Sequence, residues 1–235
     1  PQRDRLIFAV DASLGVNSID QVLARRPPLR IATGPNDGVN FVGLAAHTLL
    51  DAVGLSRATV ESWGGEFLED ERPFPCIQWL AEGRANAIVQ EAIMMPQWQR
   101  TAEARPLTFL PVPGQVLADL EAAFGWPRAA MPAGYFPGQS EGFETLDFSD
   151  FLALCRSDMP DDVAHLLAWC MGETRAALEA QYRHMPPDHS PVTYPLDPTQ
   201  MGRTAVPLHP GAARYYQQLR PGEPAQQESR ALIWA

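Results

Sequence analysis

Thr33-Gly34-Pro35-Asn36-Asp37-Gly38 links a short apolar segment, residues 29–31, to a stretch with apolar side chains at Phe41, Leu44, Ala45 and Leu49 and with Thr48 on the same face. That spacing buries one face of a helix, and Asn36 or Asp37 supplies the oxygen that caps it. The first turn of a helix leaves N–H groups without intrahelical acceptors, and the helix dipole favours negative charge there. The chemistry on offer is therefore capture of an anion by main-chain amides. Glu91 closes a second apolar run, and a carboxylate brought into a cleft there must accept from an ammonium or hydroxyl group. Tyr135, in a Gly/Pro-rich stretch, offers a flat wall and a phenol. Each feature has a plainer reading that stays open. The loop is also the ordinary turn of an α/β unit, Glu91 an exposed acid or the partner of an internal Arg, and Tyr135 a core aromatic.

Several classes of chemistry fall away. The loop is neither GxGxxG nor GxxxxGK[ST], so a nucleotide is not its favoured ligand. All 18 basic residues are Arg, which removes Schiff-base chemistry and a Walker lysine. A net charge of −10 leaves no electrostatic footprint for nucleic acid or an anionic membrane surface. His47, His165, His184, His189 and His209 are scattered without partners at metal-ligand spacing. Cys76, Cys155 and Cys170 form no CxxC pair, and no GxSxG is present. No catalytic residue, metal or cofactor is assigned.

These residues need a scaffold, and 235 residues suffice for one large domain or two lobes. No apolar run reaches membrane-spanning length. Patterning predicts strands at 6–10, 29–31, 58–63, 87–90, 107–111 and 145–156. Helices are expected at 18–23, from 41, at 74–82, from Met94 with Pro96 in the first turn, and at 115–124, 161–181 and 208–219. Residues 125–142 read as turns, and Glu69-Asp70-Glu71 as a solvated acidic run. Strand and helix alternate through the first half, which predicts a parallel sheet with its ligand beyond the carboxyl ends of the strands. The ends at 33–38, 63–66 and 90–94 should converge; Trp63 stands at one of them, with a core position as its plainer reading.

The segment VPLHPGAARYY, residues 206–216, resembles the C-terminal signature of the TAXI family, the solute-binding proteins of TRAP-type transporters. LRIATGPNDG at 29–38 is similar to that family's second-lobe strand and Gly loop. Residues 131–171, with a Tyr-Pro-Gly-like motif and the start RSDMPDD, resemble its crossing segment and following helix. The likeness spans roughly residues 6–220. It implies an α/β fold like the type II periplasmic-binding proteins, two lobes joined by crossing strands, with lobe 1 incomplete before Pro1. Residues 1–11 would be a crossing strand from lobe 1, and 12–144 lobe 2 with the ligand loop at 33–38. Residues 145–220 would hold a crossing strand and the C-terminal helices of lobe 1, and 221–235 a tail. The helices from 161 and 208 would then show an exposed apolar patch. Where many members carry small or aromatic residues after the third strand, this chain reads Gln90-Glu91-Ala92-Ile93-Met94, so its ligand choice is its own.

The resemblance implies an extracytoplasmic, periplasmic solute-binding subunit that is not an enzyme. It would close its lobes on a glutamate-like amino acid or a dicarboxylate and deliver it to membrane permease subunits. The expected ligand-binding residues are Thr33, Gly34, Asn36, Asp37, Gly38, Trp63, Glu91 and Tyr135, with Glu91 accepting from the ligand and Tyr135 covering it. An enzyme on the same fold and a ligand-sensing domain of a regulator are the alternatives.

Overall fold

The computed structural model describes residues 2–93, 96–149, 151–187 and 189–219. The helix start expected at Met94 and the tail expected at 221–235 lie outside the described residues. The chain divides into two compact units, one of residues 3–149 and one of residues 1–2 with 150–235.

The larger unit is built on strand β1 (Arg5–Asp11), buried along its whole length. An apolar run with no polar alternation is what a strand covered on both faces requires. Beside it stand β2 (Arg30–Thr33), β3 (Glu66–Glu69), β4 (Ala87–Glu91), β5 (Leu107–Phe109), β6 (Arg128–Met131) and β7 (Phe143–Asp147). The sheet order is β3-β2-β4-β1-β7-β6, with β5 also on β1. The mixed α/β architecture and central sheet agree with the expected periplasmic-binding-protein-like fold. The parallel part is confined to β3, β2 and β4. β1 runs antiparallel to β4, β5 and β7, a direction that a continuous apolar run cannot reveal.

Helix α1 (Ile19–Arg25) precedes β2, with Ser18 as its cap as expected. Helix α2 (Phe41–Ala52) and the short α3 (Arg57–Ser62) join β2 to β3, and α4 (Pro73–Ala81) joins β3 to β4. Helices α5 (Gln97–Ala104) and α6 (Gly114–Phe124) follow β4 and β5. Residues 58–63, expected as a strand, are therefore mostly helix. Ser56 caps Thr59, and Val60 alone in α3 is buried, too little apolar surface for a covered strand. The third parallel strand is instead Glu66–Glu69. β6, hidden in the Gly/Pro-rich stretch, is held by its pairing to β7.

Alternate residues of the strands serve two cores. Leu6, Phe8, Ile31, Ala87 and Val89 pack with Ala45 and Leu49 of α2, while Ile7, Ala9, Ala32 and Ile88 pack with Ile77, Leu80 and Trp98 on the other face.

In the smaller unit, α7 (Asp161–Glu173) and α8 (Arg175–Tyr182) replace the single helix expected over 161–181. They meet at Thr174, whose hydroxyl donates to the Cys170 carbonyl at 2.8 Å. The short α9 (Pro198–Met201) and then α10 (Pro210–Gln218) complete the unit. Ala164, Ala168 and Gly172 are the buried residues of α7, and a Cβ at Gly172 would meet the Tyr215 hydroxyl of α10. Val163, Leu166, Leu167, Trp169 and Met171 stay 41–54% exposed, the apolar patch expected on this helix. The strand expected over 145–156 ends at Asp147, and residues 151–156 have no regular structure.

One contact sets the geometry where β2 meets α2. A Cβ at Gly43 would lie 2.0 Å from the Pro35 carbonyl oxygen, and one at Gly34 would lie 2.6 Å from Asn40 Oδ1. Gly43→Ala should cost about 1–3 kcal/mol in urea unfolding, as overpacked sites do. Gly114→Ala, with nothing within 4 Å of its Cβ, should leave stability equal or slightly raised.

Candidate functional site at the carboxyl edge of the sheet

β2 and β4 lie side by side, with Ile31 opposite Ala87 and Ala32 opposite Ile88. Side chains alternate, so Thr33 and Glu91 project from the face that carries Ile31, Ala87 and Val89, the face that α2 covers. Beyond Thr33 the chain passes through Gly34 and Pro35 against the first turn of α2. The cap is Asn40, not Asn36 or Asp37: its Oδ1 accepts from Gly43 N at 2.8 Å, and its Nδ2 donates to the Glu71 carbonyl at 3.0 Å. Asp37 folds the turn just before. Its Oδ1 accepts from the Asn40 and Val39 amides, both at 2.9 Å, and these bonds hold its carboxyl below the usual range. Asn36 and Gly38 are exposed in the same turn, with Gly38 at φ +80°.

Thr33 is the unusual member. It is fully buried, and its Oγ1 has no hydrogen-bond partner. Its carbonyl is occupied, accepting from Asp70 N at 3.2 Å and from the Cys76 thiol at 3.3 Å. Among the described residues the Phe41 and Val42 amides of α2 also have no protein acceptor. A buried hydroxyl left unpaired costs on the order of 1–3 kcal/mol, which an anionic oxygen placed there would offset.

A shallow cavity of about 410 Å³ adjoins this edge, lined by Pro35, Glu69, Asp70, Glu71 and Arg72. The loop therefore borders a cavity, yet three of the five lining residues are acids. Two of those acids are already engaged. Glu69 binds His47 Nε2 at 2.9 Å and Arg57 at 2.6 Å, and Asp70 accepts from Arg72 N at 2.9 Å. The favourable chemistry for an anion is thus the hydroxyl and amides around Thr33, not the cavity's side-chain walls. Among the described residues no group of three His, Cys, Asp or Glu could hold a metal ion.

Glu91 is half-buried, and burial, then the carboxylate of Asp4, pushes its carboxyl up to about 7. Its carbonyl accepts from Trp98 Nε1 at 2.9 Å. Asp4, which no spacing in the sequence singled out, is fully buried. Its Oδ1 accepts from the amides of Arg5 at 2.7 Å, Ala92 at 3.0 Å and Ile93 at 2.8 Å. Leu6 faces Glu91 across β1 and β4, and the Asp4 carboxylate, bound to the amides of the turn just after Glu91, bears on both Glu91 and Tyr135. The one signal available was an acid directly before a wholly buried strand.

Two expected residues stand elsewhere. Tyr135 belongs to the opposite core with Phe136 and Trp98; its hydroxyl donates to the Ile93 carbonyl at 3.5 Å, and burial raises the phenol to about 12. It braces the turn after Glu91 from behind and does not cover the Gly loop. Trp63 caps the C-terminus of α3, before Glu66, which pairs with Arg30 at the start of β2. That is the amino end of the parallel strands, away from Thr33, a consequence of residues 58–62 being helical. Thr33, Gly34 and the 36–38 turn thus stand at the end of β2 and Glu91 at the end of the neighbouring β4, with Asp4 bound to the turn that follows Glu91.

Residues 3–218 match the sequence model of a family described as the NMT1-like family, a match that takes in most of both units. No curated protein matches the chain.

The raised Glu91 carboxyl makes a stability prediction. A group that binds its proton more tightly when folded weakens folding as pH rises from its ordinary 4.5 through about 7. Glu91→Gln should therefore melt higher than wild type at pH 8, with the difference shrinking as pH falls toward 4.5; thermal unfolding across that range checks it.

Proposed function

The chain belongs to the NMT1-like family, a periplasmic-binding-like family of solute-binding type, and from that premise we propose that it captures a small carboxylate. The ligand is a glutamate-like amino acid or a dicarboxylate, and the protein is the solute-binding subunit of a TRAP-type transporter of the TAXI kind. The likeness of VPLHPGAARYY and RSDMPDD to that family's motifs supports the finer assignment. The partners are then membrane permease subunits, and the place of work is extracytoplasmic. Among the described residues no helix is long and apolar enough to cross a membrane.

The observation that carries the reading is the orphaned Thr33 hydroxyl beside the start of α2. An anion's oxygen there accepts from the hydroxyl and from the free first-turn amides, in a favourable dipole field. The 34–38 turn shapes the approach, and Glu91 meets the ligand's other polar group. No bond is made or broken, and release is simple dissociation. A micromolar complex, about −8 kcal/mol, would be ordinary for such capture.

A thermal-shift screen of L-glutamate, L-aspartate, succinate and fumarate tests it. Thr33→Val keeps the shape and removes the hydroxyl. Affinity for each hit should fall about ten- to a hundredfold, the worth of a hydrogen bond to a charged group, while the free protein melts no lower. Equal affinity in Thr33→Val would remove the hydroxyl from the site.

A further inference from the structure

We propose that Asp4 and Glu91 form a carboxyl pair holding one proton, in which Asp4 stays the anion and Glu91 donates its proton in a hydrogen bond to the captured carboxylate. The proposal rests on the capture reading above and deepens it, because it makes Glu91 a donor where the sequence had it accept. Three main-chain N–H groups point at one oxygen of Asp4, an arrangement made for an ionised carboxylate. Two of them come from Ala92 and Ile93, so Asp4 also fixes the turn that follows Glu91. Asp4 is thus a positioning residue for Glu91.

Glu91 has no comparable donors. Among the described residues its carboxyl oxygens take no protein hydrogen bond, and it is half-buried beside a fixed negative charge. Ionising it would set two like charges at the edge where a third, the ligand's, is to arrive. Holding the proton removes one charge and supplies the donor that a carboxylate oxygen needs. The shift of Glu91 to about 7 agrees with this arrangement.

Among the described residues, the titratable groups nearest the pair are placed as follows. On β1, Arg5 turns to the opposite face, where Nη1 binds Asp147 at 2.8 Å and Nε donates to the Ala130 carbonyl. Arg3 bears on Arg5 and Tyr135, not on Glu91. From the 34–38 turn, Asp37 is exposed and tied to its own amides. Beside the turn after Glu91, Tyr135 is held neutral well above pH 8 by burial and then by the Asp4 carboxylate, so it adds no charge to the pair. The first turn of α2, Asn40 to Gly43, carries no titratable side chain.

Calorimetric titration with L-glutamate, whose own charge is constant between pH 6 and 8, tests the pair. Wild type should bind about tenfold more weakly at pH 8 than at pH 6, following the protonated fraction of a group near 7. In Glu91→Gln the ratio between the two pH values should fall to about one. In Asp4→Asn, which keeps an acceptor oxygen for the three amides, the loss of affinity should begin at lower pH. A carboxyl ¹³C titration of Glu91 in the free proteins should show the same downward displacement, whether or not that variant binds. Wild-type binding that is flat from pH 6 to 8, or a fall that persists in Glu91→Gln, overturns the donor role alone. Absence of L-glutamate binding throughout overturns the capture reading as well.

Discussion

The carbonyl of Pro35 presses so closely on Gly43 that no side chain fits between them, and the site's geometry follows from that main-chain contact. Because the loop is held against the first turn of α2, Asn40 can cap Gly43 and still reach the Glu71 carbonyl. Thr33 is then enclosed beneath the loop with its hydroxyl unpaired. A looser loop would let water or a neighbouring carbonyl satisfy that hydroxyl. The close approach thus goes with a buried polar group left without a partner, at the end of a strand whose neighbour ends in Glu91.

An acidic chain without lysine faces an evident difficulty in binding an acid, since its mean field repels the ligand. On the proposed capture reading, the donors offered to the anion are neutral, and nearby carboxylates are occupied by partners inside the protein. Glu69 is held by His47 and Arg57, Asp37 by two amides, and Asp4 by three. Glu91 has no such partner among the described residues, and burial and the nearby Asp4 carboxylate raise its carboxyl to about 7. Local geometry can therefore reverse what net charge alone would forbid.

The helical periods of α1, α2, α4 and α6 and the buried run of β1 were legible because their apolar residues recur at the spacing of the element. Residues 58–63 misled because Ala58 to Trp63 carries too few apolar side chains to distinguish a short helix from an edge strand. That error carried Trp63 to the wrong end of the sheet. Tyr135 was legible as a large aromatic near the site, but its face depends on β6, which exists only through its pairing to β7. Asp4 was invisible for a related reason. Its role comes from amides 88 and 89 residues away, and no local pattern encodes such a contact. The turn between β2 and α2 was legible but its cap was not, since Asn36, Asp37 and Asn40 are all good capping residues and the tight contact with Gly43 decides between them.

The central claim is that an acid is held by the Thr33 hydroxyl and the first-turn amides of α2. The most direct measurement is a titration of isotopically labelled protein with L-glutamate, followed through backbone amide resonances. The account predicts the largest saturable shifts at Phe41 and Val42, lost in Thr33→Val. Saturable shifts confined to the exposed face of α7, or to any region away from the start of α2, would contradict it.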